Sequence, residues 1–338
     1  MDISLARAAV WLPPDREQAA DIAAAADLPL EVVREKMGIV RKCRARAEMH
    51  PSEMAVRAAR LALRDIDPDS IDLLMWTGSE YKDYPVWSAG IYVQEQLGLR
   101  RAWAFDMAAR CSSNVVGLHI ARSMMAADPN INRVLLCGGH RTGDLANYQD
   151  PNSRFLYSLA DGGAAMVLDR EGDNPLRGAS VITDGRFSED VIIPGGGTRK
   201  TSRGGLDHAD TFLTVPHIGE MRKRLGEVSQ PNFVKVIREA AQSRAIDYLA
   251  LLHIKRSAHD ALLQDLELKP SQSIYLDHFG HFGAPDQVLS LGLAEKENLL
   301  QPGNLVVLAS AGIGYTWSAL AFEWNRAVFH GEDTATLI

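Results

Sequence analysis

The feature that most constrains the fold is an alternation of short apolar runs with segments of helical periodicity along the 338-residue chain. Residues 71–77 (IDLLMWT) form a mainly apolar run, which is typical of a strand buried on both faces. Residues 52–65 instead place apolar side chains at intervals of three and four, and Ser52 is a suitable N-cap. Because the alternation recurs, it predicts an α/β protein with largely buried sheets.

The alternation occurs twice in a similar order, which suggests an internal duplication. Strands are predicted at residues 71–77, 103–107, 133–137 and 162–168, and again at 248–253, 273–276, 304–310 and 316–324. Helices are predicted at 52–65, 89–97 and from Cys111 to about residue 127, and again at 232–243, 258–266 and 285–300. We therefore expect one half at residues 1–170 and a second at 171–338. Residues 183–232 lack periodicity and predict a loop-rich insertion that shapes an entrance or tunnel.

Bulk composition excludes several classes of function. A net charge of −7 and a pI near 5.8 provide no electrostatic footprint for nucleic acid. No stretch approaches the ~20 apolar residues that a membrane helix requires. The three cysteines are too few for a disulfide framework, and no metal-ligand spacing is present. These observations predict a cytoplasmic enzyme with no metal, no membrane association and no nucleic-acid partner.

Cys111 lies at the predicted turn between the strand at 103–107 and the helix that follows. At a helix N-terminus a thiolate is stabilised by free N–H groups and by the helix dipole, and the residue's own N–H can point at an oxyanion. By position alone, a small buried hydrophobic residue is an equally good interpretation of Cys111. Cys137, within an apolar strand, and Cys43, in a basic segment, are better explained as structural residues.

Two histidines occupy predicted strand-to-helix loops. His253 ends the apolar run 248–253, where functional crevices form in α/β sheets, and His281 lies in a glycine-containing loop before the next helix. Gly312 and Gly314 flank Ile313 between two late strands, so the backbone there can approach a ligand closely. For each histidine a core or surface role is the alternative, and for the glycines an ordinary hairpin turn.

Taken together, these segments resemble the ketoacyl-acyl-carrier-protein synthase III family of the thiolase superfamily. The resemblance covers nearly the whole chain and is specific in the order and spacing of its parts. It is carried by Gly38-Ile39 with the basic cluster after it, residues 71–77, QEQLG at 94–98, DMAARCSSNVVG at 106–117, LADGGAA at 159–165, and ASAGIGYTWSALAFEW at 309–324.

The resemblance implies a thiolase fold, which is a duplicated five-layered α-β-α-β-α architecture. It places Cys111 at the nucleophile, His253 at the catalytic histidine, and the N–H groups of Cys111 and Ile313 in the oxyanion hole. His281 stands where the family usually has Asn, so Cys-His-Asn becomes Cys-His-His, as in related condensing enzymes. Alternatively, His281 and Asp286 form a base and its orienter in a Cys-His-Asp relay. That arrangement of residues resembles the one in synthase III-like acyltransferases that acylate a hydroxyl.

The resemblance also implies the substrate, an acyl thioester of acyl carrier protein or coenzyme A, with no cofactor. The Trp and Arg that hold the coenzyme A adenine in the family correspond here to Val32 and Ser153, which favours a carrier-protein donor. Lys255 and Arg256 are candidates for a docking patch near the tunnel mouth, although solvated surface charges explain them equally well.

The family architecture further implies a homodimer that pairs sheets across the nucleophile half. Val86 or Trp87 is expected to reach the substrate tunnel of the partner, and Gly312 and Gly314 are expected to line the tunnel.

For the reaction, the resemblance implies a ping-pong mechanism through an acyl-Cys111 thioester. Condensation with a malonyl-type thioester to a 3-oxoacyl product receives more weight, because a second imidazole donor suits the enolate. Its setting is expected to be specialised lipid or polyketide metabolism. Transfer of the acyl group to a hydroxyl or amine is the alternative. A non-catalytic partner subunit is a third interpretation, and the presence of Cys111 and His253 counts against it.

Overall fold

The computed structural model describes residues 2–330 and contains two large sheets and one small one. The first half comprises strands β1 (Ser4–Trp11), β2 (Asp15–Gln18), β3 (Arg41–Arg44), β4 (Leu73–Trp76), β5 (Trp103–Asp106), β6 (Arg133–Arg141) and β7 (Asp161–Asp169). Its helices are α1 (Ala19–Ala25), α2 (Pro51–Ala62), α3 (Ala89–Leu97) and α4 (Ser113–Ala127). The first sheet has the order β1-β7-β6-β4-β5, and β2 pairs with β3 in a separate hairpin.

The second half repeats this topology. Its strands are β8 (Leu176–Thr183), β9 (Tyr248–Leu251), β10 (Asn304–Gly312) and β11 (Thr316–Trp324), in the order β8-β11-β10-β9. Its helices are α5 (Ile218–Ala241), α6 (Arg256–Asp265) and α7 (Asp286–Lys296). In the first sheet, β7 is antiparallel to its two neighbours β1 and β6, and β4 pairs with β6 in parallel. In the second sheet, β11 is antiparallel to its two neighbours β8 and β10, and β9 pairs with β10 in parallel. The matching order supports a division near residue 170, which we retain as a proposal.

The elements stack in five layers. Helices α2 and α3 cover the outer face of the first sheet, and α5 with α6 covers the outer face of the second. Helices α4 and α7 lie between the sheets and contact both. Each interface is filled by a cluster of buried apolar side chains, so the central helices are apolar on nearly all sides. The α/β class and the five-layered thiolase architecture are confirmed.

Local signals account for several element boundaries. Helix α3 ends at Gly98, whose φ of +67° is the left-handed conformation that glycine adopts readily at helix ends. Helix α2 begins at Pro51, one residue before the predicted cap, because proline suits the first helical position. The Ser52 hydroxyl therefore donates to Asp83, at 2.5 Å, instead of capping the helix.

Two predictions about the second half were wrong. Residues 273–276 form no strand: Ser273 follows a short 3₁₀ turn, and the partly buried segment does not join the ladder of β9. The second sheet accordingly has four strands where the first has five. The insertion at 183–232 is also shorter than predicted, since α5 begins at Ile218 and continues through Pro231. Ile218, Met221, Leu225 and Val228 form an apolar stripe in the first turns of this helix. The sequence analysis missed it because Gly219, Gly226 and Pro231 interrupt the segment and disfavour a helix.

Candidate active site

Cys111 lies in a single 3₁₀ turn, Arg110–Ser112, that leads directly into α4. Arg110 adopts a φ of +56°, a left-handed conformation that is strained for a residue with a side chain. The Ser310 hydroxyl of β10 donates to the Cys111 carbonyl at 2.7 Å and so ties the turn to the second sheet. Gly312 packs on the same turn, where an added Cβ would lie 2.4 Å from the Ala109 carbonyl oxygen. The thiol is therefore held at the N-terminus of a central helix, as predicted.

Cys111, His281 and Asp286 form a continuous hydrogen-bonded chain. The Cys111 Sγ and His281 Nε2 atoms are 3.1 Å apart, and His281 Nδ1 is 2.6 Å from Asp286 Oδ2. Since a carboxylate only accepts, Nδ1 carries the proton toward Asp286 and Nε2 faces the sulfur. This is the arrangement of nucleophile, base and orienter that characterises hydrolytic and acyl-transfer triads.

Asp286 is fully buried and is itself held by three donors. Besides the His281 ring, it accepts from the backbone N–H of Phe282 at 3.0 Å and from that of His253 at 2.8 Å. Burial by itself lowers the pKa of His281, but the Asp286 carboxylate and Cys111 outweigh burial and raise that pKa well above its usual value. The imidazole is therefore a strong base, and its protonated form is paired with the sulfur.

His253, which the resemblance places at the catalytic histidine, has no hydrogen bond to Cys111 in the described residues. Its ring is buried, and Nε2 donates to the Gly38 carbonyl at 3.0 Å, while Nδ1 has no hydrogen-bond partner in residues 2–330. Burial lowers the pKa of His253, which keeps the ring neutral. With its proton on Nε2, the ring presents a lone pair at Nδ1. His281, and not His253, is the imidazole bonded to Cys111.

A third histidine near the site was missed by the sequence analysis. His140, in β6, is buried against Gly283, where an added Cβ would lie 2.5 Å from the histidine Nδ1. Burial lowers the pKa of His140 to about 3, and the neighbouring His281 acts in the same direction, so this ring is neutral. Its position near the carboxyl end of a buried strand, after two glycines, was the available signal.

The glycine turn lies beside the nucleophile. Ile313, Gly314 and Tyr315 connect β10 to β11, and Gly314 has a φ of +99°. An added Cβ on Gly312 would lie 3.3 Å from the Cys111 backbone nitrogen, so this turn and the Cys111 turn are in contact. The participation of the Ile313 N–H in an oxyanion hole, and of Gly312 and Gly314 in a tunnel wall, stays a prediction.

Val86 and Trp87 lie in the loop before α3. Val86 is fully exposed with a φ of +52°, and Trp87 packs edge-on against Tyr84 and tilts onto Tyr92. Within one chain they form a surface feature, and their contribution to a partner's tunnel stays a prediction.

The remaining predicted residues are placed as follows. Lys255 precedes α6, and Arg256 stacks on the Tyr275 ring at 3.7 Å and pairs with Asp277 at 3.2 Å. Ser153 is fully buried, with its hydroxyl donating to the Asp150 carbonyl at 3.0 Å, so its side chain is not free to hold an adenine.

The other two cysteines have no exposed sulfur. Cys43 and Cys137 are fully buried, and burial raises the pKa of each thiol to about 12, which accords with a structural role. Within residues 2–330 no group of three or more His, Cys, Asp or Glu side chains is arranged to hold a metal ion. No helix in the same residues is long and apolar enough to span a bilayer.

Comparison with known proteins identifies the family. Residues 105–185 match the model of 3-oxoacyl-[acyl-carrier-protein] synthase III, and residues 238–324 match that of its C-terminal part. The two matches contain Cys111, His253, His281 and Asp286. The chain belongs to the ketoacyl-acyl-carrier-protein synthase III family. It is an acyltransferase, and synthases of this type use thioester substrates without a cofactor.

Individual synthase III proteins resemble this chain over most of their length. The beta-ketoacyl-[acyl-carrier-protein] synthase III of Symbiobacterium thermophilum is 28% identical over 316 residues, which cover 90% of this chain and 93% of the relative. That of Nitratidesulfovibrio vulgaris is 28% identical over 303 residues, covering 86% and 88%.

Solved structures show the same fold. The synthase III of Pseudomonas aeruginosa superposes with a TM-score of 0.83 at 20% identity, covering 96% of this chain and 99% of the other. OleA of Xanthomonas campestris, in a cerulenin-bound form, superposes with a TM-score of 0.79 at 20% identity, covering 96% and 97%.

Proposed function

We propose that this synthase III-family enzyme takes an acyl group from a thioester onto Cys111 and transfers it to a hydroxyl or amine acceptor. The observation that carries the proposal is the Cys111–His281–Asp286 chain, with contacts of 3.1 and 2.6 Å. A carboxylate-oriented imidazole is suited to removing a proton from an attacking O–H or N–H group. This was the less favoured interpretation of the sequence, and the geometry of Asp286 now supports it.

In the first half-reaction the Cys111 thiolate attacks the carbonyl carbon of the donor thioester. The negative charge on the carbonyl oxygen would be held by the N–H groups of Cys111 and Ile313, whose turns are in contact. As the C–S bond of the donor breaks, His281 gives its Nε2 proton to the leaving thiolate. The products are acyl-Cys111, the free donor thiol and a neutral His281.

In the second half-reaction, neutral His281 accepts the proton of the acceptor hydroxyl or amine while the acceptor oxygen or nitrogen bonds to the acyl carbon. Collapse of the tetrahedral intermediate breaks the bond to Cys111 and restores the thiolate beside a protonated His281. Asp286 stabilises the positive ring in both half-reactions, because its carboxylate accepts a hydrogen bond from the Nδ1–H group throughout.

Condensation with a malonyl-type thioester is the second candidate, supported by the synthase III names of the relatives. Decarboxylation needs no base, but it needs hydrogen-bond donors for the enolate oxygen. The Nε2–H group of His253 already donates a hydrogen bond to the Gly38 carbonyl at 3.0 Å, and the unpartnered Nδ1 can only accept. His281 alone would then donate to the enolate, so this geometry suits condensation less well than transfer.

The fate of a malonyl donor separates the two reactions. With a malonyl thioester and a range of hydroxyl and amine acceptors, we expect an intact malonyl ester or amide and no enzyme-dependent carbon dioxide. The readouts are mass spectrometry of the product and trapping of released ¹⁴CO₂. Carbon dioxide released in proportion to a 3-oxoacyl product would reject transfer and establish condensation. The matched control is His281→Asn, which restores the usual family residue and removes the proposed base.

For the donor, we propose an acyl carrier protein in preference to coenzyme A. Ser153 is buried and Val32 lies in a π-helical turn, so neither provides the aromatic or guanidinium face that would hold an adenine. Lys255 and the partly exposed Arg256 stay candidates for docking an acidic carrier protein, although Arg256 also pairs with Asp277. The cytoplasm is the compartment we propose, since the sparse thiols suit a reducing environment.

We also propose a homodimer through the edge of the first sheet. Strand β5 is an edge strand, and exposed apolar side chains surround it; these are Tyr84, Val86, Ile91, Tyr92 and Trp103. An open edge with an apolar border is a template for strand pairing, and a two-fold axis would let β5 pair with its own copy. A second copy of this chain is therefore the occupant that fits the surface.

Trp103→Glu is expected to convert the dimer into a monomer. Trp103 is half exposed on β5, and a carboxylate there would be buried without a partner at the two-fold interface. Light scattering coupled to gel filtration measures the mass. Val181→Glu is the matched control, because Val181 is exposed on β8, an edge strand of the other sheet. A Trp103→Glu protein that stays dimeric, or a Val181→Glu protein that dissociates, would contradict the proposed interface.

A further inference from the structure

Lys42, in β3, is fully buried, which is rare for a lysine. Its Nζ donates to the Tyr157 carbonyl at 2.9 Å and to the Leu159 carbonyl at 2.7 Å, and lies 3.4 Å from the Glu17 carboxylate. Burial lowers the pKa of Lys42 to about 8, while Glu17 acts in the opposite direction. Burying this ammonium costs free energy, so an apolar side chain would fill the same space at lower cost, and the hydrogen bonds of the ammonium indicate its role.

The segment that Lys42 holds also carries the candidate base. In the turn-and-bridge segment 157–160, the His281 N–H donates to the Ser158 carbonyl at 2.7 Å. The Ala160 N–H donates to the His281 carbonyl at 2.8 Å, which makes a short parallel bridge between Leu159 and His281. The carbonyls of Tyr157 and Leu159 therefore accept from Lys42, and the Ser158 carbonyl between them accepts from His281.

Lys42 also contacts the turn that precedes His281. Gly280 has a φ of +78°, and an added Cβ would lie 2.6 Å from Lys42 Cβ and 2.7 Å from the Ser158 carbonyl oxygen. The next residue along β3, Cys43, donates its N–H to the Phe279 carbonyl at 2.9 Å. The backbone of His281 is thus fixed from both sides by β3 and by the segment that the ammonium binds.

We propose that Lys42 is a positioning residue for His281. Its ammonium fixes the carbonyls of Tyr157 and Leu159, the segment between them fixes the His281 backbone, and the His281 ring is thereby kept within hydrogen-bond distance of Cys111. Loss of the two donors would release this segment and let the imidazole move away from the sulfur. The inference rests on the proposed pairing of His281 with Cys111.

Lys42→Met tests the proposal, because methionine is of similar length, apolar and without donors. The rate of Cys111 alkylation by iodoacetamide is measured against pH, a readout that needs neither acyl donor nor acceptor. We expect the profile to shift to higher pH and the rate at pH 7 to fall by about tenfold, because a displaced imidazole no longer stabilises the thiolate. Mass spectra of proteolytic peptides identify Cys111 as the alkylated residue.

Three further variants serve as controls for the Lys42→Met experiment. Glu17→Gln removes the carboxylate partner but leaves both carbonyl bonds, so the alkylation profile should stay close to that of the parent protein. Val93→Ala, on α3 in a separate core cluster, controls for a general loss of stability. Lys42→Gln, which keeps an N–H donor, is expected to be intermediate and carries the test if Lys42→Met does not fold.

The results separate failure of the inference from failure of the proposed function. A folded Lys42 variant with an unchanged profile, or a Val93→Ala protein with an equal shift, overturns the positioning role. His281→Ala is measured in parallel. If His281→Ala leaves the profile unchanged, the Cys111–His281 pairing itself is wrong and the proposed function fails with it. If His281→Ala shifts the profile and Lys42→Met does not, only the inference about Lys42 is rejected.

Discussion

Cys111→Ala is expected to abolish acyl-enzyme formation and to lower turnover by about 10⁴-fold or more, the scale of effect seen when a catalytic nucleophile is removed. The sulfur is the strongest nucleophile of the Cys111–His281–Asp286 chain, in which the imidazole and the carboxylate are already engaged as base and orienter. The measurement is incubation with a radiolabelled or mass-tagged acyl thioester, followed by denaturation and intact-protein mass spectrometry.

Two other cysteines provide controls within the same chain. Cys43→Ala and Cys137→Ala should retain the acyl adduct, because both thiols are fully buried and burial raises their pKa to about 12. An adduct that persists in Cys111→Ala would move the nucleophile elsewhere. A protein that forms no adduct with any carrier-protein or coenzyme A thioester would instead favour the non-catalytic partner subunit.

Asp286→Asn is expected to lower the maximal rate by about 10³–10⁴-fold, in line with the loss seen when the orienting carboxylate of a triad becomes an amide. The substitution removes the charge that raises the pKa of His281 above its usual value. With a less basic imidazole, a thiolate on Cys111 loses the positive partner that stabilises it. The pH profile of Cys111 alkylation should therefore shift to higher pH.

Asp161→Asn is the matched control for this experiment. Asp161 is also fully buried and also accepts from two backbone N–H groups, those of Ala45 at 2.8 Å and Gly143 at 2.9 Å. It has no hydrogen bond to His281, so we expect a change in thermal stability with little change in the pH profile of alkylation. An Asp286→Asn enzyme with the parental rate and profile would show that the carboxylate only holds backbone N–H groups.

Much of the fold follows from local patterns in the sequence. The run at 71–77 contains β4, and the strand–turn–helix around Cys111 was placed within a residue or two, because periodicity and a helix N-terminus are local properties. Residues 273–276 and the first turns of α5 were misassigned for the complementary reason. A short apolar run does not reveal whether a neighbouring strand is available, and in α5 the residues Gly219, Gly226 and Pro231, which disfavour a helix, mask the apolar stripe.

The active-site histidines show where local reasoning ends. His281 and Asp286 are five residues apart, so the sequence could name them as a possible pair. It could not show that His253 donates to Gly38, which lies 215 residues earlier in the chain. That contact determines which nitrogen carries the proton, and hence whether the ring donates or accepts. The preference between condensation and transfer depends on it.

By itself, therefore, the sequence determined the α/β class and the family, and it predicted Cys111 as the nucleophile with a short list of imidazoles, since each is expressed in residue type, spacing or local periodicity. Only the tertiary structure decided which imidazole faces the Cys111 sulfur, which carboxylate accepts from that imidazole and which carbonyls Lys42 binds. The physical reason is that hydrogen-bond direction and the burial of charge are set by groups distant in sequence, brought together only when the two halves pack around the central helices.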